Sequence, residues 1–203
     1  MSKKNDDRQN IVIVGAGGGG SSTARTLSAK LDASRYNVIL INPRPYYLPM
    51  PAMPRVVVSD VDNLEEQAFP SLDKVFHNGN GTFVLGKVAL IEKNTGKGGS
   101  VVLENGERIP FEVLVLATGS IWTGPMAFPD DTIEVAEFIK NGRDAFEKAQ
   151  KIVIAGGGAV GLGNSPLACA VDFMLIFYFA ELAGELRDVW PVSSLVLIRT
   201  CTS

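Results

Sequence analysis

The sequence predicts an α/β chain: a parallel sheet with an antiparallel meander, then the start of a second parallel α/β unit. Three observations predict it. A β-branched run, Ile11-Val-Ile-Val14, leads into Gly15-Ala-Gly-Gly-Gly-Gly20 and then a helix-like stretch. The same order returns at Lys151-Ile-Val-Ile-Ala-Gly-Gly-Gly-Ala-Val-Gly161. Between the two, residues 81–106 have hairpin composition.

Composition narrows the classes. Of 203 residues, 46% are hydrophobic and 20% charged, which supports a sizeable core and excludes a disordered chain. The formal charge of −3 argues against a nucleic-acid surface, so no nucleic-acid partner is expected. Cys169 and Cys201 are far apart and form no C-x-x-C, which excludes a zinc ribbon, a disulfide scaffold and a dithiol redox pair. His77 is the single histidine, which leaves His-based metal or triad chemistry without its residues, and it reads as a surface loop residue. Residues 1–10 are polar and mixed in charge, with no apolar signal core, and the expected location is cytoplasmic.

Residues 11–14 alternate with nothing polar and read as a buried parallel strand. Gly15, Gly17 and Gly20 fit G-x-G-x-x-G, and Ser21–Lys30 reads as the following helix. Gly15 permits the tight turn. Gly17 lacks a Cβ and so lets a pyrophosphate approach the backbone. Gly20 lets helix and strand pack closely. The helix start offers unpaired N–H groups and about half a positive charge to phosphates. For a lone motif, a glycine-rich turn with no ligand is the alternative.

Tyr36–Asn42 is the second strand of this βαβ unit. Asn42 stands where such folds place an acid on the ribose hydroxyls. Its amide can bond a hydroxyl without charge assistance, or it simply ends the strand before Pro43. Residues 43–56 hold five prolines, too many for a long helix, and read as a rigid aromatic loop at a strand's carboxyl end. Arg44 and Arg55 are candidate anion contacts there, or solvated charges. Val61–Val75 reads as partly helical, interrupted at Pro70.

Thr82–Ile91, the turn at Asn94–Gly99, Ser100–Leu103 and Asn105-Gly106 read as a hairpin series spliced into the parallel sheet. Val113–Leu116 reads as a buried strand running into Ala117-Thr118-Gly119. Gly119 would let the backbone pass close to a bound group, and Thr118 supplies a hydroxyl. Ile121–Pro129 reads as a linker and Asp131–Gln150 as a helix with Val135, Phe138, Ile139 and Phe146 on one face. Gly156, Gly158 and Gly161 then repeat G-x-G-x-x-G. Two such motifs about 140 residues apart are far stronger than one, and they make both parts of the chain Rossmann-like. The expected division is a first domain over 8–125 and a partial second domain over 126–203.

The order of motifs resembles the two-dinucleotide-binding-domain flavoproteins, and within them the apoptosis-inducing-factor-like branch of short cytosolic fungal type. The residues that carry the resemblance are 11–20, 40–47, 108–120 with Trp122-Thr-Gly-Pro125, and 152–161 with 181–191. It implies FAD on the first domain. Gly15, Ala16, Gly17, Gly18 and Gly20 would surround its pyrophosphate, and Asn42, with Pro43 and Arg44 beside it, its ribose. Val88 would lie by the adenine, and Ala117, Thr118 and Gly119 near the FAD. It implies NAD(P)H at Gly156, Gly158 and Gly161, and an NAD(P)H oxidoreductase passing electrons through flavin to a quinone-like acceptor.

Two departures from the family pattern stand out. The family runs from Gly161-Leu162 straight into Glu181-Leu-Ala-Gly-Glu-Leu, and here eighteen residues, Gly163–Ala180, intervene. Codons available at Gly163-Asn164 and Ala180-Glu181 allow splice-donor and splice-acceptor sequences. The segment therefore reads as a translated, unremoved intron, with a genuine insertion as the alternative; transcript reads across it decide between them. A break near 163 and a new helix over 166–188 are expected, the apolar part of which favours weak membrane association through 166–180. The second departure is that the family continues past the position of Ser203, so the chain reads as C-terminally truncated. It is expected to bind FAD weakly or not at all and to oxidise little NADH. A non-catalytic nucleotide-binding or membrane-associated fragment is the alternative.

Overall fold

A computed structural model describes residues 7–58, 60, 67–121, 126–148, 152–155 and 195–198. They fall into two compact units. The first takes the residues up to Tyr47 together with Phe69–Ser120; the second takes Leu48–Ala68 and those from Ile121 onward.

The first unit is built on a four-stranded parallel sheet. Its strands are β1 (Gln9–Val14), β2 (Tyr36–Asn42), β3 (Thr82–Leu85) and β7 (Val113–Leu116), in the order β3-β2-β1-β7. Ile11, Val12, Ile13 and Val14 are all buried, as their unbroken apolar run demands of a central strand covered on both faces. Helix α1 (Gly18–Lys30) covers one face. Its buried stripe is Gly20, Ala24 and Ser28, small residues four apart that bring the helix close to the strands. Ser28 also accepts a hydrogen bond from the His77 N–H at 2.9 Å and so anchors the short turn at His77–Gly79. His77 itself is exposed, as the sequence suggested.

The other face is covered by a separate three-stranded antiparallel sheet, β4 (Val88–Lys93), β5 (Gly99–Leu103) and β6 (Arg108–Phe111). Val12, Val14, Ile39 and Ile41 pack there against Val101, Leu103 and Ile109. The meander is therefore stacked on the parallel sheet and not spliced into it. The reading of Thr82–Ile91 as one meander strand is corrected likewise. Gly86 divides it, and Thr82–Leu85 pairs in parallel with β2 from Ile39↔Thr82 to Asn42↔Leu85. A Cβ at Gly86 would come within 2.8 Å of Leu103 Cδ1, so glycine there lets Leu103 pack close to the chain. The strand read as buried, Val113–Leu116, is an edge strand. Its ends, Val113 and Leu116, are 51% and 61% exposed.

In the second unit, helix α2 (Met53–Val58) and helix α3 (Thr132–Lys148) pack together. Asp131 caps α3, its carboxylate accepting from the Ile133 and Glu134 N–H groups. Val135 and Ile139 are buried, Phe138 and Phe146 are half-buried, and Phe128 stacks on Phe138 at 4.9 Å. A Cβ at Gly142 would meet Val57 Cγ1 at 2.8 Å, so glycine lets the two helices approach. Strands β8 (Ile152–Ala155) and β9 (Leu195–Ile198) pair in parallel. Gly156, Gly158, Gly161, the segment 163–180 and the helix expected over 166–188 lie outside the described residues.

Candidate functional site

The strand order sets the site. From β1 the chain steps to β2 and β3 on one side, then returns to β7 on the other. Such a reversal leaves a crevice beyond the carboxyl ends of the central strands. Gly15 N–H donates to Ile41 O at 2.8 Å, and Ala117 N–H donates to Val14 O at 2.8 Å. The turn after β1, the end of β2 and the turn after β7 thus lie side by side. Gly15–Gly20, Asn42–Arg44 and Ala117–Gly119, three groups scattered in sequence, meet there.

The glycines divide by what surrounds them. Gly15 has φ of +96°, and a Cβ on it would strike the carbonyl of Ala117. A Cβ on Gly20 would strike the carbonyl of Gly15 and lie 3.3 Å from the Ala117 methyl. Both are demanded by the fold itself. A Cβ on Gly17 or Gly19 would meet nothing within 4 Å. On Gly18 the nearest atom would be the Tyr47 hydroxyl, 3.8 Å away.

The helix begins inside the glycine run, three residues before the predicted Ser21. Gly17 is its N-cap, with no side-chain capping bond and no acidic residue in the first turn. The opening N–H groups of α1 therefore lack a side-chain partner at the helix's positive end. The arrangement can receive an anionic group by backbone N–H donation, and among the described residues nothing lies within 4 Å of a Cβ built on Gly17 or Gly19.

Asn42 is buried, and both ends of its amide are engaged. Its Oδ1 accepts from the Ala16 N–H at 3.0 Å, and its Nδ2 donates to Arg44 O at 2.8 Å. It ties the end of β2 to the glycine turn. This tie is what the sequence could not announce, since an Asn before Pro43 reads equally well as a strand stop. Pro43 and Arg44 are half-buried beside it. Arg55 falls on α2, in the second unit, and its side chain lies outside the described residues. The two arginines read as candidates from one loop therefore belong to different units. Val88 opens β4 and packs half-buried against the core of the stacked sheets. Thr118 and Gly119 are exposed, and Gly119 has φ of +74° with open space beside it.

Two contributors were missed. The Ser21 hydroxyl donates to Ala16 O at 2.9 Å and braces the turn. Tyr47 lies over the glycines, whereas Tyr46 turns away to Phe69 at 4.9 Å. No local signal separates these adjacent tyrosines; only their opposite directions along an extended segment do.

The sequence pattern of the pyridine nucleotide-disulphide oxidoreductases matches residues 9–171. The chain belongs to that family. The family's members use FAD and NAD(P)H. The chain is 44% identical over 145 residues to the FAD-dependent oxidoreductase FVFD30 of Flammulina velutipes, an alignment covering 71% of the chain and 40% of that protein. It is 28% identical over 177 residues to apoptosis-inducing factor homolog B of Dictyostelium discoideum, covering 86% of the chain and 39% of that protein. The resemblance to the apoptosis-inducing-factor-like flavoproteins therefore holds. The chain spans about 40% of the length of these relatives. Its fold is that of the sulfide:quinone oxidoreductase of Aquifex aeolicus, with a TM-score of 0.59 at 22% identity, over 92% of this chain and 42% of that one. NDH2 from Plasmodium falciparum in complex with NADH shares it with a TM-score of 0.51 at 17% identity, over 94% of this chain and 41% of that one. Among the described residues, no helix is long and apolar enough to cross a membrane.

Proposed function

We propose that this chain serves an FAD-dependent NAD(P)H oxidoreductase that passes electrons through the flavin to a quinone-type acceptor. The observation that carries the reading is the uncapped start of α1 with open space over Gly17 and Gly19. Among the described residues nothing packs against a Cβ at those two positions, and a phosphate approaching the backbone would favour glycine there.

The residues present fit FAD in the first unit. Gly15, Ala16, Gly17, Gly18 and Gly20 are assigned to its pyrophosphate. There the N–H groups that open α1 would donate to phosphate oxygens, those of Gly15 and Ala16 being engaged by Ile41 O and Asn42 Oδ1, and the helix dipole favours the phosphate charge. Asn42 holds the turn in shape and keeps one amide hydrogen and one carbonyl lone pair for a ribose hydroxyl. Pro43 and Arg44 follow it on the same edge. Val88 is assigned to the adenine side, and Ala117, Thr118 and Gly119 to the neighbourhood of the flavin. Gly156, Gly158 and Gly161 are assigned to NAD(P)H. Held by these residues, a bound FAD would supply the capacity to take hydride from NAD(P)H and pass electrons to the acceptor. The quinone class follows the family resemblance and accords with the name of the Aquifex aeolicus neighbour.

Titrating the chain with FAD, then adding NADH or NADPH and a soluble short-chain quinone, tests the reading. Against the weak binding and low NADH oxidation expected from the sequence, this reading requires saturable FAD binding with a change in flavin fluorescence, followed by bleaching of the flavin by the reduced nicotinamide and return of its colour with quinone. Absence of saturable FAD binding overturns it. Binding without bleaching confines the chain to nucleotide binding and overturns the redox part.

A further inference from the structure

The loop after β2 carries a hydroxyl that the fold itself does not use. Tyr47 N–H donates to Pro70 O at 2.9 Å, and Leu72 N–H donates to Pro45 O at 3.0 Å. Tyr46 and Ser71 form an antiparallel bridge between these two bonds. The backbone of residues 45–47 is thus held against residues 70–72 as a short ladder. The Tyr47 ring packs on the cluster that contains Ile13, Ala16, Ala24 and Leu72. Backbone and ring are both fixed, so the direction of the side chain is fixed as well.

That direction brings the phenolic oxygen over the helix start, 3.8 Å from where a Gly18 Cβ would sit. Among the described residues no group hydrogen-bonds it. Neighbouring hydroxyls are committed elsewhere. Ser21 donates to Ala16 O at 2.9 Å, and Thr23 donates to Gly19 O at 2.8 Å. A tyrosine O–H that becomes buried, as this one would under a bound ligand, normally finds a hydrogen-bond partner. A phenol is a neutral donor near pH 7, and its bond to an ionised acceptor is shorter and stronger than one between neutral groups.

We propose that the Tyr47 hydroxyl is a phosphate-binding donor. It closes the glycine cradle from the loop side and bonds an oxygen of the dinucleotide's pyrophosphate. The inference rests on the reading that this cradle holds FAD. It adds a side-chain contact to a site otherwise made of backbone, and it places the loop after β2 in direct charge of the phosphates.

Tyr47→Phe keeps the ring and its packing and removes only the oxygen. FAD and ADP are titrated into the parent chain and the variant, with phosphorus NMR of the bound ligands and thermal unfolding of the ligand-free proteins. The expected result is affinity about tenfold weaker for both ligands. The bound phosphorus resonances should shift, and ligand-free unfolding should stay unchanged. Equal affinities in parent and variant overturn the proposal while leaving the FAD reading intact. Weakening for FAD alone also overturns it, because the oxygen would then serve the flavin end. A parent chain that binds neither ligand removes both readings together.

Discussion

Gly15 and Gly20 differ from Gly17 and Gly19 in kind, although all four sit in one turn. The first pair is walled in by backbone, the carbonyls of Ala117 and Gly15, and no side chain fits. The second pair faces open space. One pair is glycine because strand, helix and neighbouring turn converge there. The other has room for a side chain among the described residues, and the proposed phosphate would account for glycine there. A consensus pattern treats these positions alike, and the packing around them differs.

Mutations can break that distinction. The largest effect is expected at Gly20→Ala, whose methyl would meet the Gly15 carbonyl. A loss of about 3 kcal/mol or more in unfolding free energy should result, read by chemical denaturation. At Gly17→Val the φ of −68° and ψ of −173° suit a β-branched residue. Unfolding should change little, while FAD affinity falls about 100-fold, close to 2.7 kcal/mol. If Gly17→Val unfolds the protein as Gly20→Ala does, the division between the two pairs fails. Asn42→Ala should fall between. It orphans the buried Ala16 N–H and frees the Arg44 carbonyl, for about 2 kcal/mol of stability, and weakens FAD only through a looser turn.

The smallest effect serves as a control away from the turn. Arg108 donates two hydrogen bonds of 3.2 Å to the Glu92 carboxylate across the exposed meander. Those bonds hold Glu92 below the usual carboxylate range. The folded chain thus stays ionised there at a pH where the unfolded chain has begun to take up a proton. The contribution is complete above the ordinary carboxylate pKa and disappears as pH falls through the lowered value. Exposed pairs contribute little. Glu92→Gln should therefore lower the melting temperature slightly at neutral pH and not at all in strong acid. A larger drop at acid pH than at neutral pH would reverse the sign.

Much of the first unit was legible because its signals are local. Unbroken apolar runs marked β1 and the core of β2, and the glycine spacing marked the turn between strand and helix. The meander's attachment was not legible. Whether Thr82–Leu85 joins the parallel sheet depends on pairing with β2, forty residues earlier, and Gly86 alone hardly signals a change of sheet. Val113–Leu116 read as buried because composition cannot tell a central strand from an edge strand. The site followed the same rule. Glycine positions were readable, whereas the Asn42 tie and the direction of Tyr47 depend on which distant backbone atoms lie opposite.

The excursion of residues 48–68 into the second unit has a practical consequence. Met53, Val56 and Val57 are buried in the company of α3, and Arg143 Nε donates to Val56 O at 2.9 Å. A stop codon after Ser120 would not release a tidy nucleotide-binding half. The shortened product would carry a greasy stretch with its cover removed, midway between β2 and β3. Anyone seeking a minimal flavin-binding fragment would do better to replace residues 48–68 by a short polar connector than to trim the carboxyl end alone, since the entropic cost of closing such a loop varies only weakly with its length.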